Sequence, residues 1–432
     1  MTIKEIKDRA IPVISKPESP TIPNSHFFHK LKILWYSVAP HISTGYGVVT
    51  KNVVYRILGK GYDVVIAAYY GIEAGGYVKQ GDAVIVPIEK NALSDPFGYK
   101  SVKTHFAKFK RDILIFHTDF WISEKLTELV PEAYCYSPID SEKYPEKFIK
   151  ILKSYEGLLI PSKHGVAEVK KYGVNAEYMP HGVDTSVFKP LNKIECREHF
   201  KLKKDDFIVG IVAANSDKEP RKGWDAMFLG ARMFLDKFPE AEKNFRIFAH
   251  TKANDRAGYN LFGTAKTCNI DKNLTFQDQY LSIIGMPDVL LARLYNCFDV
   301  ILMLSSREGF CLPVAEAGAC GIPAIVTNFS ALPERVNYGK CGWLVPHKGL
   351  KVSGFNALTA IPNSEGCAKA LEEAYFDQHK RENFGKKAIL WNQSFDWNVV
   401  VDKYWVPWLK KIEDEYGLGT KKSLEDRKVL EV

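Results

Sequence analysis

The chain has 432 residues, of which 46% are apolar and 25% charged, and its formal net charge at pH 7 is +8. This length exceeds one ordinary domain, and the composition is that of a globular protein. No apolar run is long enough to cross a bilayer and the first residues lack the apolar core of a signal peptide, so we expect a cytoplasmic protein.

The excess of positive charge suits an anionic partner such as a nucleotide diphosphate, or peripheral contact with the inner membrane face. The basic residues are dispersed and form no nucleic-acid-binding motif, so no specific nucleic-acid partner is expected. The eight cysteines are scattered without a CxxC pair, which argues against a zinc site or a disulfide scaffold.

The first half of the chain alternates between buried strands and helical patterns. Residues 1–30 contain four prolines among polar residues and predict a flexible, extended arm. Apolar runs of strand length follow, and helical patterns separate several of them; the runs are at 32–40, 62–70, 83–88, 111–117 and 157–161. Such alternation predicts βαβ units around a parallel sheet.

A second series of the same kind begins after a Pro- and Gly-bounded stretch near 184–200. Its strand-like runs are at 206–214, 245–250, 274–278, 299–304, 324–327 and 342–346, with helical patterns such as 224–238 and 286–298 between them. The sequence therefore predicts two α/β domains, over residues 31–195 and 196–391.

Two segments near the C-terminus stand apart from this pattern. The aromatic-rich stretch 391–417 is helical in period as far as Pro407, and its large apolar side chains need a cover. Docking onto the first domain is one solution and a partner or membrane face is another; we predict that a C-terminal helix, residues 392–432, completes the first domain. The stretch 348–366 has no interpretation from the sequence.

The most informative stretch is SREGFCLPVAEAGACGIPAIVTNFSALPERV, residues 306–336. A strand precedes it, and ligands of open α/β sheets gather beyond the carboxyl ends of strands. Pro313 suits the first position of a helix beginning near Leu312, which places Glu308 in the loop and Glu316 on the first turn. Two carboxylates beside loop amides and a helix N-terminus can bind a hydroxylated or anionic ligand.

The segment EGFCLPVAE resembles the Glu-x7-Glu motif of retaining glycosyltransferases with the GT-B fold, in particular the GT4 family, also called glycosyl transferases group 1. The flanking AGACGIPAIVTNFSALPERV and the GWLVP segment are similar to that family too, and the resemblance spans most of residues 32–408. It implies two Rossmann-like domains facing across a cleft, with the acceptor on the first and a nucleotide-sugar donor on the second.

The resemblance also implies roles for residues of the second domain. Glu316 would bind the ribose of the donor nucleotide, and Glu308 would bind the donor sugar. The amides of Gly309, Phe310 and Cys311 would assist Glu308. Arg221 and Lys222, in EPRKGWD, would neutralise the diphosphate leaving group. Where the family often has an arginine after the preceding strand, this chain has Ala213, Ala214 and Asn215, and Arg221 is the candidate substitute.

Candidates in the first domain are fewer. Gly45 and Gly47, in STGYG, match a glycine-rich turn that lets backbone approach a phosphate or sugar, although a plain tight turn explains them equally well. His117 ends a strand at a family position that faces the donor sugar, and the nearby Asp119 would orient it or bind the acceptor. MPHGVDTSVFKP resembles the family's hinge segment, where Asn is common at the position of His181, and we read it as a turn capped by Asp184.

These features predict a metal-independent, retaining glycosyltransferase that uses a UDP- or GDP-sugar as co-substrate and needs no other cofactor. The sequence contains no DxD pair and no obvious nucleophile, so front-face displacement is favoured, with the leaving phosphate assisting deprotonation of the acceptor. The acceptor is open: a glycan, a lipid, a protein or a small metabolite. The alternatives are a glycoside hydrolase, a sugar phosphorylase or epimerase on the same fold, and a non-catalytic nucleotide-sugar-binding protein.

Overall fold

The computed structural model describes residues 30–72, 75–216, 219 and 221–418. Apart from Lys30, the arm predicted for residues 1–30 lies outside the described residues, as do the last residues, 419–432, of the predicted C-terminal segment. Within the described part of the chain, none of the helices combines the length and the apolarity that a bilayer crossing requires.

The first half of the chain forms one eight-stranded sheet of order β3-β4-β2-β1-β5-β6-β7-β8. Its pairs are parallel except for β3 with β4. The strands are β1 (Lys32–Val38), β2 (Asp63–Tyr70), β3 (Val78–Gln80), β4 (Ala83–Pro87), β5 (Ile113–Phe116), β6 (Ala133–Tyr136), β7 (Gly157–Ile160) and β8 (Glu177–Tyr178). The helices between them are α1 (Gly45–Leu58), α2 (Tyr99–Lys108), α3 (Leu126–Leu129), α4 (Glu146–Lys153) and α5 (Lys163–Lys170).

Both faces of this first sheet are covered, as the near-continuous apolar runs of its central strands require. Trp35 and Ile66 point into one apolar cluster, and Tyr36 and Val65 point into the other. All four side chains are buried, so alternate residues of each strand pack into two apolar cores, one on each face of the sheet, and neither face is open to solvent.

The second half forms a six-stranded, wholly parallel sheet of order β11-β10-β9-β12-β13-β14. The strands are β9 (Phe207–Val212), β10 (Phe245–His250), β11 (Leu274–Phe276), β12 (Val300–Met303), β13 (Ala324–Thr327) and β14 (Gly342–Val345). The helices are α6 (Lys193–His199), α7 (Trp224–Lys237), α8 (Leu261–Thr267), α9 (Gln279–Ile284), α10 (Asp288–Tyr295), α11 (Leu312–Ala319), α12 (Leu332–Arg335), α13 (Ser364–Phe376) and α14 (Gln378–Gln393). Short 3₁₀ turns lie at Phe120–Ile122, Pro239–Lys243, Asp271–Asn273 and Asn337–Gly339.

Strand order reverses once in each sheet, and these reversals position the site. In the first sheet β1 lies between β2 and β5, and in the second β9 lies between β10 and β12. Loops that leave such neighbouring strands in opposite directions open a crevice beyond their carboxyl ends. The loop after β1, the loop after β5, the segment 213–216 and the loop after β12 are therefore the expected walls of a ligand cleft.

The C-terminal segment packs on the first sheet rather than on the second. It comprises α15 (Trp397–Val400), a π-helical turn (Val401–Trp405) and α16 (Val406–Glu415), so the predicted C-terminal helix begins at Trp397 rather than at residue 392. The helical path continues past Pro407, where the helical period of the sequence ends. The wider turn before Pro407 accommodates a residue that has no N–H to donate. Trp397, Trp405 and Trp408 are buried in the same cluster as Trp35.

The uninterpreted stretch 348–366 contains an antiparallel hairpin of β15 (Leu350–Val352) and β16 (Leu358–Ala360), followed by the start of α13. The hairpin belongs by sequence to the second half, yet Glu142 of the first half exchanges two backbone hydrogen bonds with Leu358, of 3.0 and 2.7 Å. It therefore contacts both halves of the molecule.

Candidate functional site

Glu308 lies in the loop after β12 and is held by polar groups from two other segments. Its Oε1 accepts hydrogen bonds from Lys222 Nζ at 2.5 Å and Ser305 Oγ at 2.7 Å, and Arg221 Nη1 lies 3.7 Å away. Ser330 Oγ accepts from the amide of Glu308 at 2.9 Å. Burial raises the pKa of the carboxyl, but the charges of Lys222 and Arg221 and the hydrogen bonds outweigh it, so the pKa is below its usual range. Glu308 is therefore an ionised, oriented carboxylate.

The loop from Glu308 to helix α11 is buried and has an unusual backbone conformation at Cys311. Cys311 has φ +75°, a left-handed conformation that is strained for a non-glycine residue, and it caps α11 without a side-chain hydrogen bond. A side chain on Gly309 would overlap Pro138 of the first half, 2.1 Å away, so the two halves meet closely at this glycine. The turn thus brings the amides of Gly309, Phe310 and Cys311 beside the positive end of a helix dipole.

Glu316 occupies an environment opposite in character to that of Glu308. Helix α11 begins at Leu312 as predicted, which makes Glu316 its fifth residue, one position past the first turn on which the sequence analysis placed it. Tyr295 Oη donates to Glu316 Oε2 at 2.8 Å, and burial raises the pKa of Glu316 to about 7. A carboxyl poised near neutral pH can accept hydroxyl hydrogen bonds once it is ionised.

Lys222 and Arg221 lie before helix α7, on the segment that faces the Glu308 loop. The amide of Ser306 donates to the carbonyl of Arg221 at 2.7 Å, which ties this segment to the end of β12. Lys222 is 14% exposed and Arg221 is 21% exposed, so both cations are sheltered but partly open to solvent. Asn215, at the position where an arginine is common in the resembled family, instead donates to the carbonyls of Lys252 and Tyr259 at 3.0 and 2.7 Å.

His117 is buried at the carboxyl end of β5. Its Nδ1 donates to the carbonyl of Tyr136 at 2.9 Å, since a carbonyl only accepts, and this leaves Nε2 as an acceptor with no partner among the described residues. Burial lowers the pKa of His117 to about 4, so the ring is neutral near pH 7. The ring stacks on Tyr136, with centroids 4.5 Å apart, and the Tyr46 ring meets it edge-on at 5.1 Å.

Asp119 lies two residues after His117 and is close enough to Arg221 and Arg307 of the second half to feel their charges. Tyr46 Oη donates to its Oδ1 at 2.5 Å, so the hydrogen bond joins the start of α1 to the end of β5. Burial raises the pKa of Asp119 to about 6, while Tyr46, Arg221 and Arg307 lower it and Asp140 raises it further. The sequence analysis singled out Asp119 but gave no signal for its partner Tyr46.

The two glycines of STGYG, Gly45 and Gly47, have different structural roles. A side chain on Gly47 would overlap the carbonyl oxygen of Ile42 at 2.1 Å, so this glycine is required by the packing of α1 on the preceding turn. Thr44 caps the helix, and its Oγ1 accepts from the amide of Gly47 at 3.1 Å. A side chain on Gly45 would meet Leu312 of the other half at 3.9 Å, which is an ordinary contact, so packing does not require glycine at this position. Gly45 itself lines the cleft.

A cavity of about 430 Å³ opens between the halves. Its wall from the first half is Ser43, Thr44 and Gly45; its wall from the second half is Val212, Ala213, Ala214, Asn215, Ser216, His250, Thr251, Lys252, Asp255, Ser282 and Pro313. These residues follow the carboxyl ends of β1, β9 and β10 and include the start of α11. The cavity has the size of a ligand site and lies where the sheet topology predicts one.

His181 and Arg335 form an aromatic and cationic contact at the crossing between the halves that sequence reasoning missed. The His181 ring lies 4.9 Å from the Phe310 ring, and the Arg335 guanidinium lies over the same Phe310 ring, 3.9 Å from its centroid. Burial lowers the pKa of His181 well below its ordinary value, so it is neutral. The turn predicted at Asp184 is present, with the amide of Ser186 donating to Asp184 Oδ1 at 3.1 Å.

Comparison with known proteins agrees with this geometry. Residues 257–391 match the family model described as Glycosyl transferases group 1, a range that includes Glu308 and Glu316. A D-inositol 3-phosphate glycosyltransferase of Kribbella flavida is 25% identical over 223 residues, 52% of this chain and 48% of that protein. The aligned part thus spans about half the length of this curated relative.

Solved structures match over most of the chain. Sucrose-phosphate synthase from Thermosynechococcus elongatus has a TM-score of 0.70 at 17% identity, covering 90% of this chain and 98% of that one. Anabaena Alr3699/HepE in complex with UDP-glucose has a TM-score of 0.65 at 11% identity, covering 89% and 100%. The fold is therefore GT-B, two Rossmann-like halves facing across a cleft, and the predicted likeness to group 1 glycosyltransferases is confirmed.

Proposed function

We propose that this chain, whose residues 257–391 match the family model of group 1 glycosyltransferases, transfers a hexose from a nucleotide-diphosphate sugar to an acceptor hydroxyl, with retention and without a metal ion. The observation that carries the proposal is the meeting of Glu308 with Lys222 and Arg221, two cations that lie beside Ala214 and Asn215 of the cavity wall. An oriented carboxylate beside two sheltered cations suits a sugar joined to a diphosphate.

For the donor, we propose that the nucleotide occupies the 430 Å³ cavity. Glu316, held by Tyr295, would accept hydrogen bonds from the ribose hydroxyls, and Glu308 would accept them from the sugar. The amides of Gly309, Phe310 and Cys311 would donate to sugar or phosphate oxygens. The structure of Anabaena Alr3699/HepE with UDP-glucose supports a UDP-sugar, and a GDP-sugar is the second member of the proposed class.

For the leaving group, Lys222 and Arg221 would receive the charge that develops on the diphosphate. An ammonium has three N–H donors, so Lys222 can bind a phosphate oxygen while keeping its hydrogen bond to Glu308. Cations held in place before the reaction stabilise the developing charge without reorganisation, which is the role a metal ion has elsewhere. Arg221 would then stand in for the arginine absent at Asn215.

For the chemical step, we propose front-face displacement. The bond between the anomeric carbon and the phosphate oxygen breaks, the acceptor oxygen bonds to the same face, and the acceptor proton passes to the departing phosphate. Asp119 would hold the acceptor hydroxyl, and the neutral Nε2 of His117 would accept from a sugar hydroxyl. Closing the cleft around the reactants excludes water and suppresses hydrolysis of the donor.

The names of the relatives guide the choice of acceptor. One is a D-inositol 3-phosphate glycosyltransferase and another a sucrose-phosphate synthase, which supports a sugar or phosphosugar as the first acceptor to test. We place the reaction in the cytoplasm, with peripheral membrane contact as part of the same proposal. All eight cysteines are free and buried, which fits a reducing compartment.

The test is a thermal-shift screen of the purified chain against UDP- and GDP-sugars, followed by turnover with sugar and phosphosugar acceptors in the presence of EDTA. We expect one donor to raise the melting temperature and NMR of the product to show the anomeric configuration of the donor. Inversion or loss of turnover in EDTA would contradict the mechanism. Nucleotide binding without hydrolysis or transfer would favour a non-catalytic binding protein, and release of a sugar phosphate would favour a phosphorylase.

A further inference from the structure

The hairpin β15–β16 is joined to both walls of the cleft. The amide of Ala360 donates to the carbonyl of Ser306 at 3.0 Å, so β16 is fixed to the residue that precedes Arg307 and Glu308. On the other side Leu358 pairs with Glu142 of the first half through two backbone hydrogen bonds. Such pairing adds a strand-like backbone link between the two halves, separate from the hinge.

The tip of this hairpin inserts apolar side chains into the first half. Ala357 is 1% exposed and is part of the apolar cluster beneath the first sheet. The Phe355 ring lies 4.7 Å from the Trp121 ring and 6.2 Å from the Phe148 ring. Aromatic contacts of this kind contribute stabilisation beyond the area that they bury.

Phe355 also covers an ion pair between the halves. Arg307 Nη1 donates to Asp140 Oδ2 at 3.1 Å, and the two side chains are 9% and 12% exposed. The Arg307 guanidinium lies 5.3 Å from the centroid of the Phe355 ring. Asp140 is held in turn by Ser141 Oγ and Tyr144 Oη, both on its Oδ1 at 3.0 and 3.2 Å. A sheltered, hydrogen-bonded pair of this kind has a defined geometry and resists separation.

We infer that Phe355 and Arg307 are positioning residues: the hairpin is a strap that holds the acceptor wall of the first half in register with Glu308. Arg307 directly precedes Glu308, and Trp121 lies two residues after Asp119. The strap therefore connects the chain neighbours of the proposed donor carboxylate and the proposed acceptor carboxylate. Displacements of about 1 Å at reacting atoms lower rates by about 100-fold, so the alignment provided by the strap matters for transfer.

The inference rests on the proposed function for its kinetic part and on the geometry alone for its structural part. For the structural test, Lys103→Cys on α2 and Lys369→Cys on α13 place spin labels on the two halves. Both positions are exposed, whereas all eight native cysteines are buried, so the label should react at the two introduced thiols. We expect one narrow distance distribution for this labelled chain and an added longer-distance population in Phe355→Ala, with Phe355→Tyr restoring the narrow distribution.

Two further variants sharpen this test. Val352→Ala changes an exposed residue of the same hairpin, and we expect it to match the parent. Trp121→Ala removes the other partner of the same ring contact. Because each single variant already loses that contact, the double variant with Phe355→Ala should have no larger longer-distance population than either single variant. A Phe355→Ala distribution identical to that of Val352→Ala would overturn the inference.

The kinetic test compares transfer with donor hydrolysis. We expect Phe355→Ala to lower kcat for transfer by about 10-fold to 100-fold and to raise the share of donor lost to water, while the Kd of the nucleotide stays within about 2-fold. An unchanged ratio of transfer to hydrolysis would refute the positioning role. A parent chain that neither transfers nor hydrolyses any nucleotide sugar refutes the proposed function instead, and the distance measurement still decides the strap.

Discussion

Lys222 Nζ donates to Glu308 Oε1 across 2.5 Å, although 86 positions separate the two residues in the chain. The sequence predicted each as a site residue from a separate motif: Lys222 from the segment before a helix, and Glu308 from the loop after a strand. Their contact places a cation and a carboxylate in a sheltered corner of the cleft, where water screens charge poorly. The proposed stabilisation of the leaving diphosphate therefore depends most directly on this pair.

Substituting Lys222 by Met tests that pair. We expect kcat for transfer to fall by about 100-fold or more, because a preorganised cation for the leaving group is lost. The free energy of unfolding should fall by roughly 3 kcal/mol at pH 7, since Glu308 is left as a buried charge with only Arg221 near it. The control is Lys222→Met with Glu308→Gln, which should recover much of the melting temperature and none of the activity. Additive losses of stability would contradict the pairing.

Glu316→Gln tests the proposed ribose contact. The amide cannot accept a pair of hydroxyl hydrogen bonds as a carboxylate does, so we expect the Kd of UDP or GDP to rise by about 10-fold or more. Isothermal titration calorimetry measures this change without an acceptor. Glu382→Gln, an exposed carboxylate on α14, is the matched control. Equal affinity of both variants for the nucleotide would remove Glu316 from the donor site.

The raised pKa of Glu316 predicts an opposing pH dependence of folding and binding. In the folded chain the pKa is about 7, above the ordinary value of 4.5, so between these values the folded state keeps a proton that the unfolded state has lost. Its contribution to stability is complete below pH 4.5 and declines by about 3 kcal/mol as the pH rises through 7. Nucleotide affinity should rise over the same range, because the ionised form accepts the ribose hydroxyls. Denaturant titrations and calorimetry between pH 5 and 8 check both trends, and Glu316→Gln should flatten them.

The ionisation of Asp119 should produce a separate inflection in the pH dependence of the transfer rate. Its pKa is raised to about 6 by burial, whereas that of His117 is lowered to about 4. At saturating donor we expect kcat to increase with pH through about 6 and to show no histidine ionisation between pH 5 and 8. Asp119→Asn should abolish the inflection and raise the acceptor KM while leaving the nucleotide Kd unchanged. An inflection that persists in Asp119→Asn would assign it to another group.

The C-terminal helical segment predicts a stability effect remote from the cleft. Trp405 is fully buried, and its ring lies 5.4 Å from that of Trp35 and 5.1 Å from that of Tyr136. Trp405→Ala should lower the free energy of unfolding by about 3–5 kcal/mol. Trp405→Phe is the milder comparison, since the indole N–H has no hydrogen-bond partner among the described residues. Lys410→Ala, exposed on α16, should change stability little, and an equal loss in all three variants would contradict the packing argument.

Local sequence pattern determined the two α/β halves, most of the central strands and the helix that begins at Leu312. Apolar periodicity and the preference of proline for a helix start act over a few residues, so they can be read without the fold. The same reasoning missed β6, Ala133–Tyr136, and the hairpin β15–β16, because runs of three or four residues carry too little period to distinguish a strand. The helical period of the last segment also stops at Pro407 in the sequence, whereas a π-helical turn lets the helical path continue to Glu415.

Only the tertiary structure decided which side chains meet. The Tyr46–Asp119 hydrogen bond spans 73 positions and the Arg307–Asp140 pair spans 167. Neither pair has a local signature, because strand order and domain packing bring such residues together after the chain has folded. Glu308 and Glu316 show that a correct local prediction still leaves the chemistry of a side chain open. The sequence placed the two carboxylates in one loop and the helix that follows it. Their opposite pKa shifts depend on distant partners, two cations for one and burial beside Tyr295 for the other.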